Sequence, residues 1–223
     1  MFDFAAARRM MVDGQVRTSD VTDLRIIGAM LELPRERFVP EANAALAYLD
    51  LDLPATAASG GEPVRRLLKP MVLAKMVQAA AVKESDHVLD VGCATGYSSA
   101  LLARLARSVV ALEEDPALAR RARENLEAVG AGNVTVMIGP LTQGWPAKAP
   151  YDVILVEGAV ELVPPALSRQ LNDGGRLVAV VGRAPPGRAM VYRSVAGEVS
   201  GWPAFDATAP LLPGFAAPPA FVF

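Results

Sequence analysis

The sequence is poor in the residues that build disulfides and zinc sites, with one cysteine and one histidine in 223 residues. A single cysteine cannot form an internal disulfide. Zinc sites use several cysteine and histidine ligands, so one of each argues against a zinc site. We therefore predict no metal centre.

The sequence also lacks an excess of either charge, with 22 basic and 24 acidic residues and a formal net charge of −2. This balance provides no electrostatic footprint for nucleic acid or for an anionic membrane. Apolar runs are broken by charge or glycine before they reach membrane-spanning length. The first residues carry charges where a signal peptide needs an apolar stretch. We expect a cytoplasmic protein that binds neither nucleic acid nor membrane, and no feature indicates its oligomeric state.

Apolar segments of strand length alternate with helical patterns through most of the chain, which predicts one α/β domain. We expect a doubly wound, mostly parallel Rossmann-like sheet. The segments 188–195 and 198–206 predict a C-terminal β-hairpin that adds one antiparallel strand. The predicted strands cover 87–91, 108–113, 134–138, 152–157 and 176–182, and the predicted helices between them cover 96–106, 116–129 and 163–170.

The first 66 residues have a different pattern, with helical periodicity over 4–17 and 21–33. We expect 1–66 to form a helical cap on the substrate side and 67–223 to form the core. The proline-rich C-terminal segment is too apolar for a free tail. Its aromatic residues Phe215, Phe221 and Phe223 are expected to pack against the core.

Residues 88–99 read Val-Leu-Asp-Val-Gly-Cys-Ala-Thr-Gly-Tyr-Ser-Ser, a buried strand that leads into a glycine turn and then a helix. Gly92 and Gly96 permit backbone angles and close approach that a side chain would prevent. Such a loop at the start of a helix is typical of a small-molecule cofactor site.

An acidic residue at the end of the next strand supports a cofactor that contains ribose. Glu113 follows Gly92 by 21 residues, close to the spacing at which an acid binds ribose hydroxyls. The alternative is a solvated strand end. A dinucleotide is less favoured, because Tyr97 stands where the G-x-G-x-x-G pattern has its last glycine.

The loop resembles the first motif of class I S-adenosylmethionine-dependent methyltransferases, D-x-G-x-G-x-G. Asp90, Gly92 and Gly96 match this motif, and Ala94 replaces its middle glycine. The resemblance implies S-adenosylmethionine as cofactor. Asp90 is expected to orient the loop amides and Cys93 to be a small filler. The cofactor-binding residues that the resemblance implies are Asp90, Gly92, Cys93, Ala94, Gly96, Glu113 on the ribose and Leu141 against the adenine edge.

Further segments resemble protein-L-isoaspartate O-methyltransferases over about residues 11–183. They include Pro34-Arg-Glu-Arg-Phe-Val-Pro, the helix that begins Pro70-Met-Val-Leu-Ala-Lys-Met, and Leu171-Asn-Asp-Gly-Gly-Arg-Leu-Val. This resemblance implies a repair enzyme that methylates the α-carboxylate of L-isoaspartyl residues in a peptide or protein.

The chain departs from this family at three positions, near the expected methyl acceptor and near the adenine of the cofactor. Leu68 stands in place of a serine, Pro140 in place of an acid near the adenine, and Glu157 in place of a small residue. Glu157 is a candidate base, or else a capping or salt-bridged acid. Lys69, with Arg65 and Arg66, is a candidate for collecting an acidic acceptor, or else part of a solvated loop.

Two alternatives to isoaspartyl methylation therefore stay open. The first is a methyltransferase with another small-molecule or peptidyl acceptor, selected by Glu157 or by the 65–69 loop. The second is a noncatalytic homologue that binds the cofactor.

Overall fold

A computed structural model describes residues 2–56, 65–182 and 187–217, and within these ranges helices alternate with strands as the sequence predicts. The helices are α1 (Phe4–Met11), α2 (Leu24–Glu32), α3 (Pro70–Ala80), α4 (Tyr97–Ala103), α5 (Pro116–Ala128) and α6 (Pro165–Ser168). The strands are β1 (Leu53–Pro54), β2 (Arg66–Leu67), β3 (His87–Val91), β4 (Ser108–Glu113), β5 (Val134–Ile138), β6 (Tyr151–Val160), β7 (Leu171–Val181), β8 (Gly187–Val195) and β9 (Glu198–Ala207).

The central sheet has seven strands in the order β5-β4-β3-β6-β7-β8-β9. From β5 to β7 all neighbours are parallel, which confirms the doubly wound sheet. The chain runs outward from β3 through β4 to β5 and then returns to pair β6 with β3. Ligands of such sheets bind beyond the carboxyl ends of the strands where the order reverses. In this sheet the order reverses between β3 and β6, so the expected ligand site lies beyond the carboxyl ends of these two strands and of β4.

Local sequence signals account for the helices on either side of this position. Asp115 caps α5 through a hydrogen bond from Ala117 N to Asp115 Oδ1 of 2.7 Å, and Pro116 follows at the first helical position. Consecutive residues of β3 point to opposite faces, so Val88 joins one hydrophobic cluster and Leu89 the other. Both faces of the strand are therefore buried.

The N-terminal segment is helical and packs on one face of the sheet. After α1 the helix continues as a wider turn over Val12–Val16 and a short 3₁₀ turn over Arg17–Ser19, so the helix predicted over 4–17 changes its hydrogen-bond pattern midway. Residues of this segment share a hydrophobic cluster with the sheet. The division into 1–66 and 67–223 stays a prediction.

The C-terminal hairpin is present as β8 and β9, but it adds two antiparallel strands to the sheet where the sequence predicted one. Pairing of β8 with both β7 and β9 satisfies the backbone groups of both edges of β8. The strand β9 thus forms the outer edge of the described sheet.

The segment after β9 returns to the carboxyl end of β6. Ala159 N donates to Pro210 O at 2.7 Å, and Leu212 N donates to Ala159 O at 2.9 Å. Phe215 is buried, which confirms that this residue packs against the core. Phe221 and Phe223 lie outside the described residues.

Within residues 2–56, 65–182 and 187–217, no helix has both the length and the apolar character needed to cross a membrane.

Candidate active site

The glycine loop after β3 has a left-handed backbone at three positions. Gly92 has a φ of 81°, Ala94 of 49° and Gly96 of 93°. The loop is fixed to the end of β4 because Gly92 N and Cys93 N donate to Leu112 O at 2.8 and 3.2 Å. Left-handed angles cost a residue with a Cβ about 1–2 kcal/mol, so the alanine at 94 is held there by its surroundings.

Asp90 lies at the base of this loop and is completely buried. The sequence predicted that it orients the loop amides, and this is wrong, because its Oδ2 accepts hydrogen bonds from the hydroxyls of Ser98 and Ser99 in α4. Its Oδ1 is buried and has no hydrogen-bond partner among the described residues. Burial raises the pKa of Asp90 to about 6.

Glu113 ends β4 and is completely buried, which rules out the solvated strand end. Its Oε1 accepts hydrogen bonds from Glu114 N at 2.9 Å and Asp115 N at 3.2 Å. Its Oε2 accepts one from Ala94 N at 2.8 Å and forms an ion pair with Arg65 Nη2 at 3.1 Å. The carboxylate thus connects the glycine loop to the turn before α5.

Arg65 is the one residue of the predicted basic group that reaches the glycine loop. Its Nη2 also donates to Gly92 O at 2.9 Å, while its Nε and Nη1 are buried without a partner among the described residues. Arg66 instead donates to Asp52 O, and Lys69 Nζ lies 3.4 Å from Thr208 Oγ1, both in exposed hydrogen bonds.

The surface of the loop is covered by side chains from three separate segments. A Cβ built on Gly92 would lie 2.9 Å from Arg65 Nη2, 3.4 Å from Leu212 Cδ2 and 3.6 Å from Leu141 Cδ1. Leu141 therefore lies beside the loop. The Cys93 side chain is buried in the core, where burial raises the pKa of its thiol, so Cys93 is a packing residue.

Glu157 occupies a bulge near the carboxyl end of β6. Pairing of β6 with β7 shifts register between Leu155 and Ala159, which re-aims the residues between them. The Glu157 side chain is buried, and its Oε1 has no partner within the described parts of the chain. Burial and the nearby Asp90 raise the pKa of Glu157 well above its ordinary value.

Sequence reasoning missed two residues of this site. Arg35 is buried, and its Nη2 donates to Leu68 O at 2.8 Å. Leu212 reaches the glycine loop from the C-terminal segment. Its place inside the Pro34–Pro40 family motif could have identified Arg35, whereas no sequence signal indicates Leu212. Among the described residues, no group of three or more histidine, cysteine or acidic side chains is placed to hold a metal ion.

A comparison with protein-family models matches residues 7–201 to the protein-L-isoaspartate(D-aspartate) O-methyltransferase family. The chain belongs to this family. Its methyltransferase class and its cofactor, S-adenosylmethionine, follow from membership and confirm the predictions from sequence.

Relatives and solved structures agree with this assignment. A protein-L-isoaspartate O-methyltransferase of Methanoculleus marisnigri is 42% identical over 175 residues, covering 78% of this chain and 77% of the relative. The corresponding protein of Koribacter versatilis is 39% identical over 196 residues, covering 88% of this chain and 86% of the relative. A solved protein-L-isoaspartate O-methyltransferase has a TM-score of 0.79 at 26% identity, covering 93% of this chain and 66% of that chain. A Plasmodium falciparum protein solved with S-adenosyl-L-homocysteine shares the fold, with a TM-score of 0.75 at 16% identity over 95% of this chain and 99% of that chain.

The buried Asp90 predicts a stability that depends on pH. Its pKa is raised from 3.8 to about 6 in the folded protein, so folding takes up a proton between these values and rising pH favours the unfolded state. From pH 4.5 to 7, the wild type is expected to lose about 2 kcal/mol of unfolding free energy relative to the Asp90→Asn variant. Urea unfolding of both proteins at the two pH values measures this. The exposed Glu124→Gln variant is the control, and an equal change in Asp90→Asn and wild type would contradict the assignment.

Proposed function

We propose that the chain transfers a methyl group from S-adenosylmethionine to the α-carboxylate of L-isoaspartyl residues in peptides or proteins. The observation that carries this proposal is the family match over residues 7–201, which includes the helical segment as well as the glycine loop. The names of the relatives at about 40% identity support the same acceptor.

The buried polar atoms around the glycine loop fit the amino-acid end of this cofactor, which carries an ammonium and a carboxylate. Asp90 Oδ1 is an anionic acceptor without a partner among the described residues, and it suits the ammonium. Arg65 Nε and Nη1 are buried donors that also have no partner among the described residues, and they suit the carboxylate. We propose that these two side chains hold that end, with backbone contacts from Gly92, Cys93, Ala94 and Gly96.

Glu113 and Leu141 are proposed to bind the ribose and the adenine edge. Glu113 accepts hydrogen bonds from Glu114 N, Asp115 N, Ala94 N and Arg65 Nη2. A carboxylate has about four lone-pair positions, so ribose hydroxyls compete with Arg65 for Oε2. We expect Arg65 to leave Glu113 when the ribose binds, which frees its guanidinium for the cofactor carboxylate.

S-adenosylmethionine supplies an electrophilic methyl group on a sulfonium. A carboxylate acceptor with a pKa of about 4 is already ionised at neutral pH, so the protein needs no strong base. Its contribution is to align the acceptor and to exclude water, and alignment is worth up to about 7–11 kcal/mol. Burial of Asp90, Glu113, Leu141 and Leu212 around the loop supports a site that excludes water.

We further propose that residues 1–66 cover the acceptor side of the site and that the protein acts in the cytoplasm. The helical segment contributes Arg35, which holds the backbone of Leu68 next to the sheet. A protein or peptide acceptor would enter between this segment and the carboxyl ends of the strands.

Methylation of isoaspartyl and aspartyl peptides of the same sequence tests the proposed function. With radiolabelled S-adenosylmethionine, we expect label in the isoaspartyl peptide alone, because alignment of the acceptor carboxylate distinguishes the two backbones. Gly92→Ala is the inactive comparison, since its Cβ would lie 2.9 Å from Arg65 Nη2 at a φ of 81°. Gly132→Ala is the matched control, because its Cβ meets nothing within 4 Å among the described residues.

Equal labelling of the two peptides would favour the alternative of another acceptor. Cofactor binding without transfer to either peptide or to lysate proteins would favour a noncatalytic homologue.

A further inference from the structure

Glu157 lies beside the glycine loop, on the strand next to it. The last parallel pair between β3 and β6 joins Val91 to Val156, so Gly92 and Glu157 are the next residues on the two strands. The amino-acid end of the cofactor is proposed to lie at Gly92, and the sulfonium that carries the methyl group adjoins that end. Glu157 therefore lies on the neighbouring strand at the level of the proposed cofactor loop.

The surroundings of Glu157 disfavour the ionised form of its carboxyl group. The residue is 6% exposed. The charged groups that act on it are Asp90 on β3, Arg35 after α2 and Arg65 before β2. Burial and Asp90 raise its pKa well above the ordinary value, and the two guanidinium groups oppose this increase. A neutral carboxyl group carries an O–H donor, which an ionised one lacks.

The guanidinium of Arg35 acts on both Leu68 and Glu157. Arg35 Nη2 donates to Leu68 O at 2.8 Å, and the charge of the same group acts on Glu157. Leu68 is 1% exposed and has only an apolar side chain to offer. Leu68 therefore offers an acceptor carboxylate no side-chain donor, whereas the buried Oε1 of Glu157 has no partner among the described residues.

We propose that Glu157 binds the acceptor carboxylate by donating a hydrogen bond to it, and so supplies the donor that Leu68 lacks. The inference rests on the proposed function, since it assumes a carboxylate acceptor. The Glu157 proton stays on Glu157 throughout. One acceptor oxygen receives the hydrogen bond, and the other forms the new O–C bond as the S–C bond of the cofactor breaks. The acceptor enters as an anion and leaves as a neutral ester, so no proton is released.

Peptide affinity in four variants tests the role of Glu157. Binding of an isoaspartyl peptide is measured by calorimetry with the protein saturated with S-adenosylhomocysteine, which prevents turnover. Glu157→Ala is expected to weaken binding by about tenfold to a hundredfold, and to raise KM with little change in kcat, because the hydrogen bond exists before and during transfer. Glu157→Gln keeps a donor of the same size and should bind within a few fold of wild type. Leu68→Ser combined with Glu157→Ala should recover part of the loss relative to Glu157→Ala alone.

The pH dependence of binding separates donation from a purely structural role. The dissociation constant of wild type should increase about tenfold per pH unit above the pKa of Glu157, since the ionised carboxylate repels the acceptor. Glu157→Gln cannot ionise and should show no such increase, while the exposed Glu124→Gln should follow wild type.

Three results would overturn the inference in distinguishable ways. If wild type binds the isoaspartyl peptide and Glu157→Ala binds it equally well, the inference fails and the proposed function stands. If Glu157→Gln loses kcat as completely as Glu157→Ala with unchanged peptide binding, Glu157 acts as a base on another acceptor. If wild type neither binds nor methylates the isoaspartyl peptide, the proposed function itself fails, and the inference with it.

Discussion

Replacement of Arg35 by alanine is expected to lower the free energy of unfolding by about 3–5 kcal/mol. The guanidinium is completely buried, and it donates from Nε to Ala47 O and from Nη2 to Leu68 O, both at 2.8 Å. The Cζ atom of Arg35 also lies 4.6 Å from the centre of the Tyr97 ring. Alanine would leave two buried carbonyl groups without donors, at about 1–3 kcal/mol each, and would remove the ring contact.

The neighbouring Arg37 provides the control for this change. Both arginines belong to the 3₁₀ turn Arg35–Phe38, but Arg37 is exposed, so Arg37→Ala should change stability by less than about 0.5 kcal/mol. Urea unfolding monitored by circular dichroism measures both variants. A loss below about 1 kcal/mol in Arg35→Ala would show that Arg35 does not hold the helical segment on the site.

Replacement of Glu113 by alanine is expected to weaken binding of S-adenosylhomocysteine about a hundredfold, and by at least tenfold. Two ribose hydroxyls bonded to a carboxylate are worth about 1.5–3 kcal/mol each, and competition with Arg65 Nη2 reduces the net gain. Calorimetric titration measures this affinity. The adjacent Glu114→Ala is the matched control, because Glu114 is exposed and should leave the affinity within about twofold.

Folding of the Glu113 variant must be checked separately. Removal of this carboxylate leaves Arg65, whose side chain is 9% exposed, without its buried counter-ion, and breaking such a pair costs about 3–5 kcal/mol. Glu113→Gln retains the size of the side chain and should lose less free energy of unfolding. It should still bind S-adenosylhomocysteine more weakly than wild type. A folded Glu113→Gln variant with wild-type affinity would contradict the ribose assignment.

The bounds of β3, β4 and β5 agree with the strands predicted from sequence residue by residue. They are short apolar runs bounded by turn residues, a signal that acts within a few positions. The strand β6 was predicted over 152–157 and extends to Val160, because its last residues pair with β7 and the C-terminal segment. Pairing across such distances leaves no local mark in the sequence.

The site shows the same division between local and distant contacts. The sequence identified the glycine loop and Glu113 from spacing, and it grouped Arg65 with Arg66 and Lys69 from composition. Only the structure separates Arg65 from the other two, because β2 pairs with β1 and leaves Arg66 and Lys69 in surface hydrogen bonds. The structure also shows that Asp90 accepts hydrogen bonds from two serine hydroxyls and not from the loop amides that the sequence predicted.

The sequence by itself determined the order of strands and helices, the position of the cofactor loop and the family, because periodicity, turn residues and motif spacing are local properties of the chain. The tertiary structure decided which charges are buried and what they face. Arg35 meets Leu68 across 33 positions of sequence, and Arg65 meets Glu113 across 48. Desolvation and charge pairing depend on such contacts. The raised pKa values of the Asp90 and Glu157 carboxyl groups therefore follow from the packed fold alone.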